Sequence, residues 1–409
     1  MDLERLKKYA LTICKVGANV QKGQEVWIRS DCKNEQFVAL LVEECYKLGA
    51  SYVDVEFTSE ELTIAQSLYG SLEELEKLRS YHEERWINFS KVFPARIVLL
   101  SEAPDSLTRA DSKKLVAANR KKTAIIKKYR DIAEDKHQWT IAGVPSYEWA
   151  VKVFPNLDKE EAYEKLFELI LDVSRIDEDP ILAWKNHNDK LLEISNKLTS
   201  YKFDYLHIKS LKSGTDIKIG LLKNTRFIAG GETNINNNVF YNPNIPTEEC
   251  FTSPDSRRAS GIVYSSKPLS YNGKLIEDFN ITFKDGVVTS YHARVNEELL
   301  GEIINFDATS NRLGEVALVP FDSPISNSKT LFFNTLYDEN AACHLALGTG
   351  FLNTYIGFEN MTKEELSKVG INSSTMHCDF MIGDEETEIT GYTSESKGVP
   401  IFKKGNWVI

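Results

Sequence analysis

Two histidines in the last third of the chain lie close in sequence to acidic residues. His377 and Asp379 are two residues apart, so an extended segment would point both side chains to one face. The segment 338–344 begins with acids and ends at His344. In a helix, Glu339 and His344 would diverge by about 140°, so both could reach one site only if Glu339 lies at the helix start. Because carboxylates and imidazoles bind divalent cations, these residues predict a metal site, although a His-x-Asp triplet alone is a weak signal.

Further carboxylates lie in unusual surroundings. Glu248 and Glu249 form a pair framed by prolines among apolar and small residues, and neighbouring carboxylates repel unless one is solvated or binds a cation. Glu315 leads into the apolar run 316–319. A buried carboxylate must be paired or metal-bound, because burying it bare costs too much free energy. For Glu315 the local sequence leaves two interpretations equally open: a metal ligand, or an acid at the edge of a strand that pairs with Arg312.

The other five histidines have no paired ligand nearby in the sequence. They lie on segments that resemble scaffold helices or strands, so each is predicted to be a surface histidine or a core histidine with a hydrogen-bond partner. These residues are His82, His137, His187, His207 and His292.

The first half of the chain alternates between strand-like and helix-like segments. Apolar residues recur every three to four positions over 34–48 and Gly49 follows, as is typical of an amphipathic helix that ends at a C′ glycine. Helices are also expected over 71–85 and 107–135. The expected strands are 25–29, 52–57, 97–100 and 139–142. Strands separated by helices predict an α/β fold with a mostly parallel sheet.

The second half changes character after about residue 205. Short alternating segments predict strands at 206–209, 216–221, 262–264, 280–284 and 287–292. Asn272-Gly273 and Asp285-Gly286 are strong signals for hairpin turns. The change places a boundary near residues 190–205. It predicts an N-terminal α/β domain over 1–200 and a C-terminal, strand-rich α+β domain with the metal site over 201–409.

The composition narrows the class of protein. The chain has 409 residues, 42% hydrophobic and 27% charged, which is ordinary for a globular protein of two or three domains. Its net charge of −11, with no basic stripe, argues against nucleic acid as a partner. We expect no signal peptide, because the amino terminus has no apolar segment, and no membrane span, because no apolar run approaches ~20 residues. Six scattered cysteines without a Cys-x-x-Cys pair predict a reduced, cytoplasmic protein.

Four motifs in order over about 130 residues carry a family resemblance. They are Asn-Ile-Pro-Thr-Glu-Glu at 244–249, Arg-Leu-Gly-Glu at 312–315, Asp-Glu-Asn-Ala-Ala-Cys-His at 338–344 and His-Cys-Asp-Phe-Met-Ile-Gly at 377–383. Together with the opening segment at 6–24, they resemble the M29 metallopeptidases, the thermophilic aminopeptidase T family. The resemblance runs through nearly the whole chain, and the ordered set is far more specific than any one motif.

The resemblance implies a centre with two divalent metals, described in the family as zinc or cobalt. Four carboxylates and two imidazoles also suit manganese, and they do not suit a metal that requires thiolates. The ligands implied by the motifs are Glu249, Glu315, Glu339, His344, His377 and Asp379.

One position departs from the family pattern. The family usually has a tyrosine seven residues after the first ligand histidine, where this chain has Phe351. A phenyl ring neither donates nor accepts a hydrogen bond, so either Tyr355 takes that role or the role is absent. The departure bears on rate and activity and not on the metal site.

The resemblance further implies an aminopeptidase of broad specificity that acts on short peptides with a free N-terminus. The family enzyme is a homodimer with its site in an internal cavity. Two metals about 3.5–4 Å apart would activate a water and polarise the scissile carbonyl. The candidate catalytic residues are Glu315, Tyr355 and Glu248, the last as the carboxylate that binds the substrate amine or transfers a proton.

Two alternatives stay open. A dinuclear hydrolase of another amide or of an ester would need the same ligands. A catalytically impaired relative would bind peptide or metal without cleaving; Phe351 favours it, whereas the six intact ligands favour the enzyme.

Overall fold

The computed structural model describes residues 2–104, 106–271 and 274–409. Its chain forms two compact units. The first consists of Met1–Trp184 and Gly231–Pro246, and the second of Lys185–Gly230 and Thr247–Ile409. The division into domains at residue 200 stays a prediction. Among the described residues, no helix is both long and apolar enough to cross a bilayer.

The described helices are α1 (Leu3–Thr12), α2 (Glu35–Lys47), α3 (Glu60–Tyr69), α4 (Leu72–Glu76), α5 (Ser80–Val92), α6 (Ser112–Ala133), α7 (Tyr147–Val153), α8 (Lys159–Val173), α9 (Pro180–Tyr201), α10 (Glu297–Ile304), α11 (Pro324–Asn327), α12 (Thr335–Asp338) and α13 (Lys363–Val369).

The described strands are β1 (Glu25–Asp31), β2 (Tyr52–Thr58), β3 (Ala95–Leu100), β4 (Trp139–Gly143), β5 (Phe203–Ser210), β6 (Asp216–Leu221), β7 (Ile228–Ala229), β8 (Glu232–Thr233), β9 (Phe240–Tyr241), β10 (Asn244–Ile245), β11 (Cys250–Thr252), β12 (Pro254–Tyr264), β13 (Leu269–Tyr271), β14 (Lys274–Lys284), β15 (Val287–Val295), β16 (Leu313–Leu318), β17 (His344–Gly348), β18 (His377–Met381), β19 (Thr387–Thr393), β20 (Gly398–Lys403) and β21 (Asn406–Trp407).

The first unit is built on a five-stranded sheet in the order β10-β4-β3-β1-β2, and all its described strand pairs are parallel. The predicted α/β class is therefore confirmed. Helix α2 ends as expected, because the residue after its last turn is Gly49 at φ +96°, which glycine adopts without strain.

Two predicted helices of the first unit differ from those observed. The segment 71–85 is not one helix: Ser71 caps α4, and Lys77 and Arg79 adopt extended backbone before α5 begins. The helix expected over 107–135 is confined to α6. Its start is fixed by the Asp111 side chain, which accepts a hydrogen bond from the Lys114 backbone amide.

The second unit is strand-rich, as predicted. One antiparallel sheet has nine strands, with the path β13-β14-β12-β6-β5-β19-β20-β21 and β15 paired to β14. A second sheet has the order β18-β17-β16-β11-β7 and is also antiparallel. The turn at Asp285-Gly286 is the predicted two-residue hairpin turn, with φ of 51° and 79°. The turn predicted at Asn272-Gly273 lies outside the described residues.

The five-stranded sheet of the second unit has two unlike faces. Val316, Leu345 and Phe380 pair across β16, β17 and β18 and belong to the buried hydrophobic core. Because successive residues of a strand point to opposite faces, their neighbours in sequence lie on the other face. This other face carries the charged residues described next.

Candidate metal centre

Four carboxylates and two imidazoles converge on the sheet face opposite the core. His344 Nε2 lies 3.2 Å from a carboxylate oxygen of Glu249. His377 Nε2 lies 3.1 Å from Glu315 Oε2 and 3.1 Å from Asp379 Oδ1. Ligand atoms of Glu249, Glu315 and His344 all lie within 4.8 Å of one another, and so do those of Glu315, His377 and Asp379. Glu315 thus belongs to two groups of three, either of which could hold a cation.

Strand register explains this convergence. Ala346, in the middle of β17, pairs with Glu315 on one neighbouring strand and with Asp379 on the other. His377 is two residues before Asp379 on β18, as the period-two argument predicted, so both point to the same face. The small side chain of Ala346 leaves room between the carboxylates.

A β-bulge at Gly314 directs Glu315 to this face. Leu313 is buried in the core, and Glu315, two residues later, points the other way, because the register shifts between them. A Cβ on Gly314 would lie 2.2 Å from the Thr349 carbonyl oxygen, so only glycine fits. Arg312 donates to the carbonyl oxygen of Ser256 (3.1 Å). The alternative in which Arg312 pairs with Glu315 is therefore wrong.

Glu339 belongs to neither group of three, and it approaches them in a different way from the one considered in sequence. The segment 338–344 is not a helix: Glu339 opens a 3₁₀ turn, Glu339–Ala341, after the short helix α12, and His344 begins strand β17. The charge of Glu339 interacts with Asp379, Glu249 and His344. The two residues approach because the chain changes direction between them, which removes the angular conflict of a helix.

The electrostatics of the group reflect crowded, buried negative charge. Burial, together with the charges of Glu249 and Asp379, raises the pKa of Glu315 to about 7 against the opposing effect of His377. Burial, then Asp379 and Glu249, raise the pKa of Glu339 well above its ordinary value. A divalent cation would relieve both repulsion and desolvation, so the donor set fits metal.

The two imidazoles are oriented as metal ligands. Burial alone would lower the pKa of His344, but its hydrogen bond to Glu249 and the nearby carboxylates raise it to about 10. Nδ1 of His344 donates to the carbonyl oxygen of Ala342 (3.2 Å), and Nδ1 of His377 donates to that of Thr349 (2.9 Å). Each Nε2 therefore faces the carboxylates, which is the orientation that a backbone hydrogen bond imposes on a ligand histidine.

The predicted catalytic residues other than Glu315 lie outside the two groups of three. Glu248 is buried, and its Oε2 is 3.9 Å from His187 Nε2. The hydroxyl of Tyr355 accepts a hydrogen bond from Asn224 (3.3 Å), and its ring packs on a separate hydrophobic cluster. No described hydrogen bond or ring contact joins Tyr355 to the carboxylates and imidazoles. The part assigned to each stays a prediction.

Phe351, in contrast, lies directly against the group. Its ring centroid is 5.0 Å from that of His377 and 5.2 Å from that of Phe251, both edge-on. The position where the family usually has tyrosine is thus adjacent to a candidate ligand.

Sequence reasoning missed Asn340, which is fully buried beside the group. Its Oδ1 accepts a hydrogen bond from the Glu248 backbone amide (2.7 Å), and its Nδ2 donates to the Leu336 carbonyl oxygen (2.9 Å). Nδ2 also lies 3.5 Å from Glu339 Oε1. Asn340 therefore links the backbone that carries Glu249 to the turn that carries Glu339. Its place inside the acidic motif was visible in the sequence, but nothing there indicated its partners.

The remaining histidines have ordinary partners, and none joins the two groups of three. Their partners include the Tyr81 ring for His82, the Ala133 carbonyl for His137, the Thr247 carbonyl for His187, Asp216 for His207 and Glu297 for His292.

The fold and this donor set define a metal-dependent hydrolase, and comparison with known proteins identifies the family. The family described as thermophilic metalloprotease (M29) matches residues 2–407. The chain is 39% identical over 406 residues to aminopeptidase AmpS of Bacillus subtilis, covering 99% of this chain and 98% of that protein. It is 35% identical over 410 residues to aminopeptidase T of Thermus thermophilus, covering 100% of this chain and 98% of that protein.

A solved structure gives the same result. Wild-type AmpT from Thermus thermophilus matches with a TM-score of 0.91 at 34% identity, over 99% of each chain. The chain belongs to the M29 family of thermophilic metalloproteases. The predicted family, the fold class and the prediction of a metal-dependent aminopeptidase are thereby confirmed.

Proposed function

We propose that the enzyme holds two divalent cations and uses them to release single N-terminal residues from peptides. The observation that carries this proposal is the pair of ligand groups that share Glu315. The set of oxygen and imidazole donors suits zinc, cobalt or manganese. The proposed ligands are Glu249, Glu315, Glu339, His344, His377 and Asp379.

The bound cations would supply a nucleophilic water at neutral pH and polarise the scissile carbonyl. Residues of the chain would space the cations and bind the substrate. Glu315 contributes to both groups of three and so fixes their spacing. Glu248 is a buried carboxylate next to Glu249, outside both groups, which suits it to bind the α-ammonium of the peptide or to move a proton. Recognition of that ammonium would restrict cleavage to the first residue.

Further proposals concern the cellular setting and the partners. All six cysteines are free, which is consistent with a reducing compartment, and we propose the cytoplasm. We propose a homodimer from the family resemblance, and peptides with a free N-terminus as substrates. The acidic net charge of −11 argues against nucleic acid as a partner.

One observation favours a second candidate, a relative that binds peptide or metal but turns over poorly. Phe351 lies against His377 where the family usually has tyrosine. The intact ligand groups favour the enzyme, and the same experiment separates the two.

The test is hydrolysis of aminoacyl-p-nitroanilides by protein loaded with cobalt or zinc, and again after complete chelation. We expect release that metal stimulates and chelation abolishes, and no release from the N-acetylated substrate. Elemental analysis should find two metal equivalents per chain, and a peptide digest should show loss of single N-terminal residues. Glu315→Gln should lower turnover sharply with an unchanged far-UV CD spectrum. Activity that survives full metal removal would falsify the proposal.

A further inference from the structure

Three arginines of the first unit lie together on one side of its parallel sheet. Arg96 on β3 pairs in register with Trp27 on β1, and Arg29 is two residues beyond Trp27, so all three side chains share a face. Arg130 lies on α6 one turn before Ala133, which packs in the small hydrophobic cluster of Trp27 and Phe89. The Arg96 guanidinium lies over the Trp27 indole ring, and the charges of Arg29 and Arg130 act on it.

Glu56 lies opposite Arg29 in the strand register and its charge acts on Arg96, but Glu56 forms an ion pair with neither of them. In the part of the chain that the structure describes, no carboxylate lies within 4 Å of any of the three guanidiniums. The nearby carboxylates of Asp54 and Glu56 instead bind Arg85, at 3.0 Å and 3.5 Å. Burial, followed by the charges of the other two arginines, lowers the pKa of Arg96 to about 10.

Two buried donors at the same place lack an acceptor. The Trp27 side chain is 4% exposed, and its Nε1 makes no hydrogen bond. Nε of Arg96 is also buried without a partner. The Arg96 guanidinium lies 5.2 Å from the centroid of Trp27 and 5.9 Å from that of Trp86, within cation–π distance of both indoles. Buried donors are normally satisfied, so two unsatisfied donors at one place call for an explanation, and a bound acceptor would supply one.

We propose that Arg29, Arg96, Arg130 and the indole N–H of Trp27 form a binding site for a phosphate group, as inorganic phosphate or a phosphate monoester. Three cations that form no close ion pair with a described carboxylate match a dianion better than a carboxylate, and the planar guanidinium donates two parallel hydrogen bonds to phosphate oxygens. Arg29 and Arg130 are exposed and would admit the ligand from solvent. The site belongs wholly to the first unit and is separate from the metal centre.

The test is isothermal titration of the full-length, metal-loaded enzyme with inorganic phosphate at constant ionic strength. We expect the double substitution Arg29→Gln, Arg130→Gln to weaken phosphate binding at least about tenfold, because each removes a charge-assisted contact. Both residues are exposed, so we expect the substitutions to leave the fold intact. An unchanged CD spectrum and unchanged peptidase activity would verify this. Arg120→Gln, an exposed arginine on the same helix, is the matched control and should leave the affinity unchanged.

Further titrations, with O-phosphoserine and with acetate, identify the chemical class of the ligand. If O-phosphoserine binds about as tightly as phosphate and loses affinity in the double variant, the ligand is a phosphate monoester. If only inorganic phosphate binds and loses affinity in the double variant, the ligand is the free ion. Phosphate bound at the metal centre would be retained by the double variant. The proposal is overturned if the double variant binds phosphate as tightly as the parent protein does. It is also overturned if acetate binds to the parent protein as tightly as phosphate.

Discussion

Metal removal should make the stability of this enzyme fall as the pH rises. The cause is the pKa of Glu315, which burial and neighbouring carboxylates raise from 4.5 to about 7. Below pH 4.5 the carboxyl is protonated in both folded and unfolded chains and costs nothing. As the pH rises through 7 the folded chain must ionise a buried carboxyl, so stability present at low pH is lost.

The size of the effect follows from the pKa difference. A change from 4.5 to about 7 corresponds to roughly 3 kcal/mol. His344 acts in the same direction: its pKa rises from 6.5 to about 10, so its contribution is complete below 6.5 and is lost as the pH rises towards 10. The two effects share carboxylate partners and do not simply add. For a unit of about 200 residues, 3 kcal/mol lowers the melting temperature by roughly 6–12 °C.

Metal should cancel this loss. A cation holds the carboxylates ionised and displaces their protons, so the stabilisation that metal confers should grow with pH. The assay is calorimetric melting of chelated and metal-loaded protein between pH 5 and pH 8. The matched control is Glu315→Gln, which cannot ionise, so its chelated form should show a shallower decline.

Two results would refute this reasoning. One is a melting temperature of the chelated protein that is constant or rises between pH 5 and pH 8. The other is an equally steep decline in chelated Glu315→Gln, which would place the titrating group elsewhere.

Three further predictions concern residues around the centre. Phe351→Tyr, which puts a hydroxyl beside His377, should raise kcat on aminoacyl-p-nitroanilides with unchanged metal content; no rise would show that a phenol is not needed there. Asn340→Ala removes the hydrogen-bond partners of the Glu248 amide and the Leu336 carbonyl, which costs about 1–3 kcal/mol for each group. The variant should unfold at lower urea concentration and bind metal more weakly. An unchanged metal affinity would limit the role of Asn340 to folding. Ala346→Leu should reduce bound metal in elemental analysis, because the larger side chain fills the space between Glu315 and Asp379; full metal content would contradict that assignment.

Much of the site was predictable because its signals are local. Two residues that lie two apart on a strand face the same way wherever the strand lies, so His377 and Asp379 could be paired from sequence. The acid leading into an apolar run, Glu315, was equally visible, since burial of a carboxylate demands a partner. The helix that ends at Gly49 and the hairpin at Asp285-Gly286 are local in the same sense.

The rest depended on contacts between distant segments. Sequence could not decide whether Glu315 pairs with Arg312, because the direction of the Glu315 side chain rests on the bulge at Gly314. Nor could it show that Phe351 lies against His377, whereas Tyr355 packs on another cluster.

By itself, the sequence determined the donor types, the alternation of the strands and the resemblance to a family, all properties of short segments or of their order. Only the tertiary structure decided that β11, β16, β17 and β18 adjoin, and so brought carboxylates some 130 residues apart into one buried group. It also brought the charges of Arg29 and Arg130 close to Arg96. The physical reason is that strand pairing is non-local: period-two alternation fixes which face a side chain takes, and pairing fixes which side chains it meets.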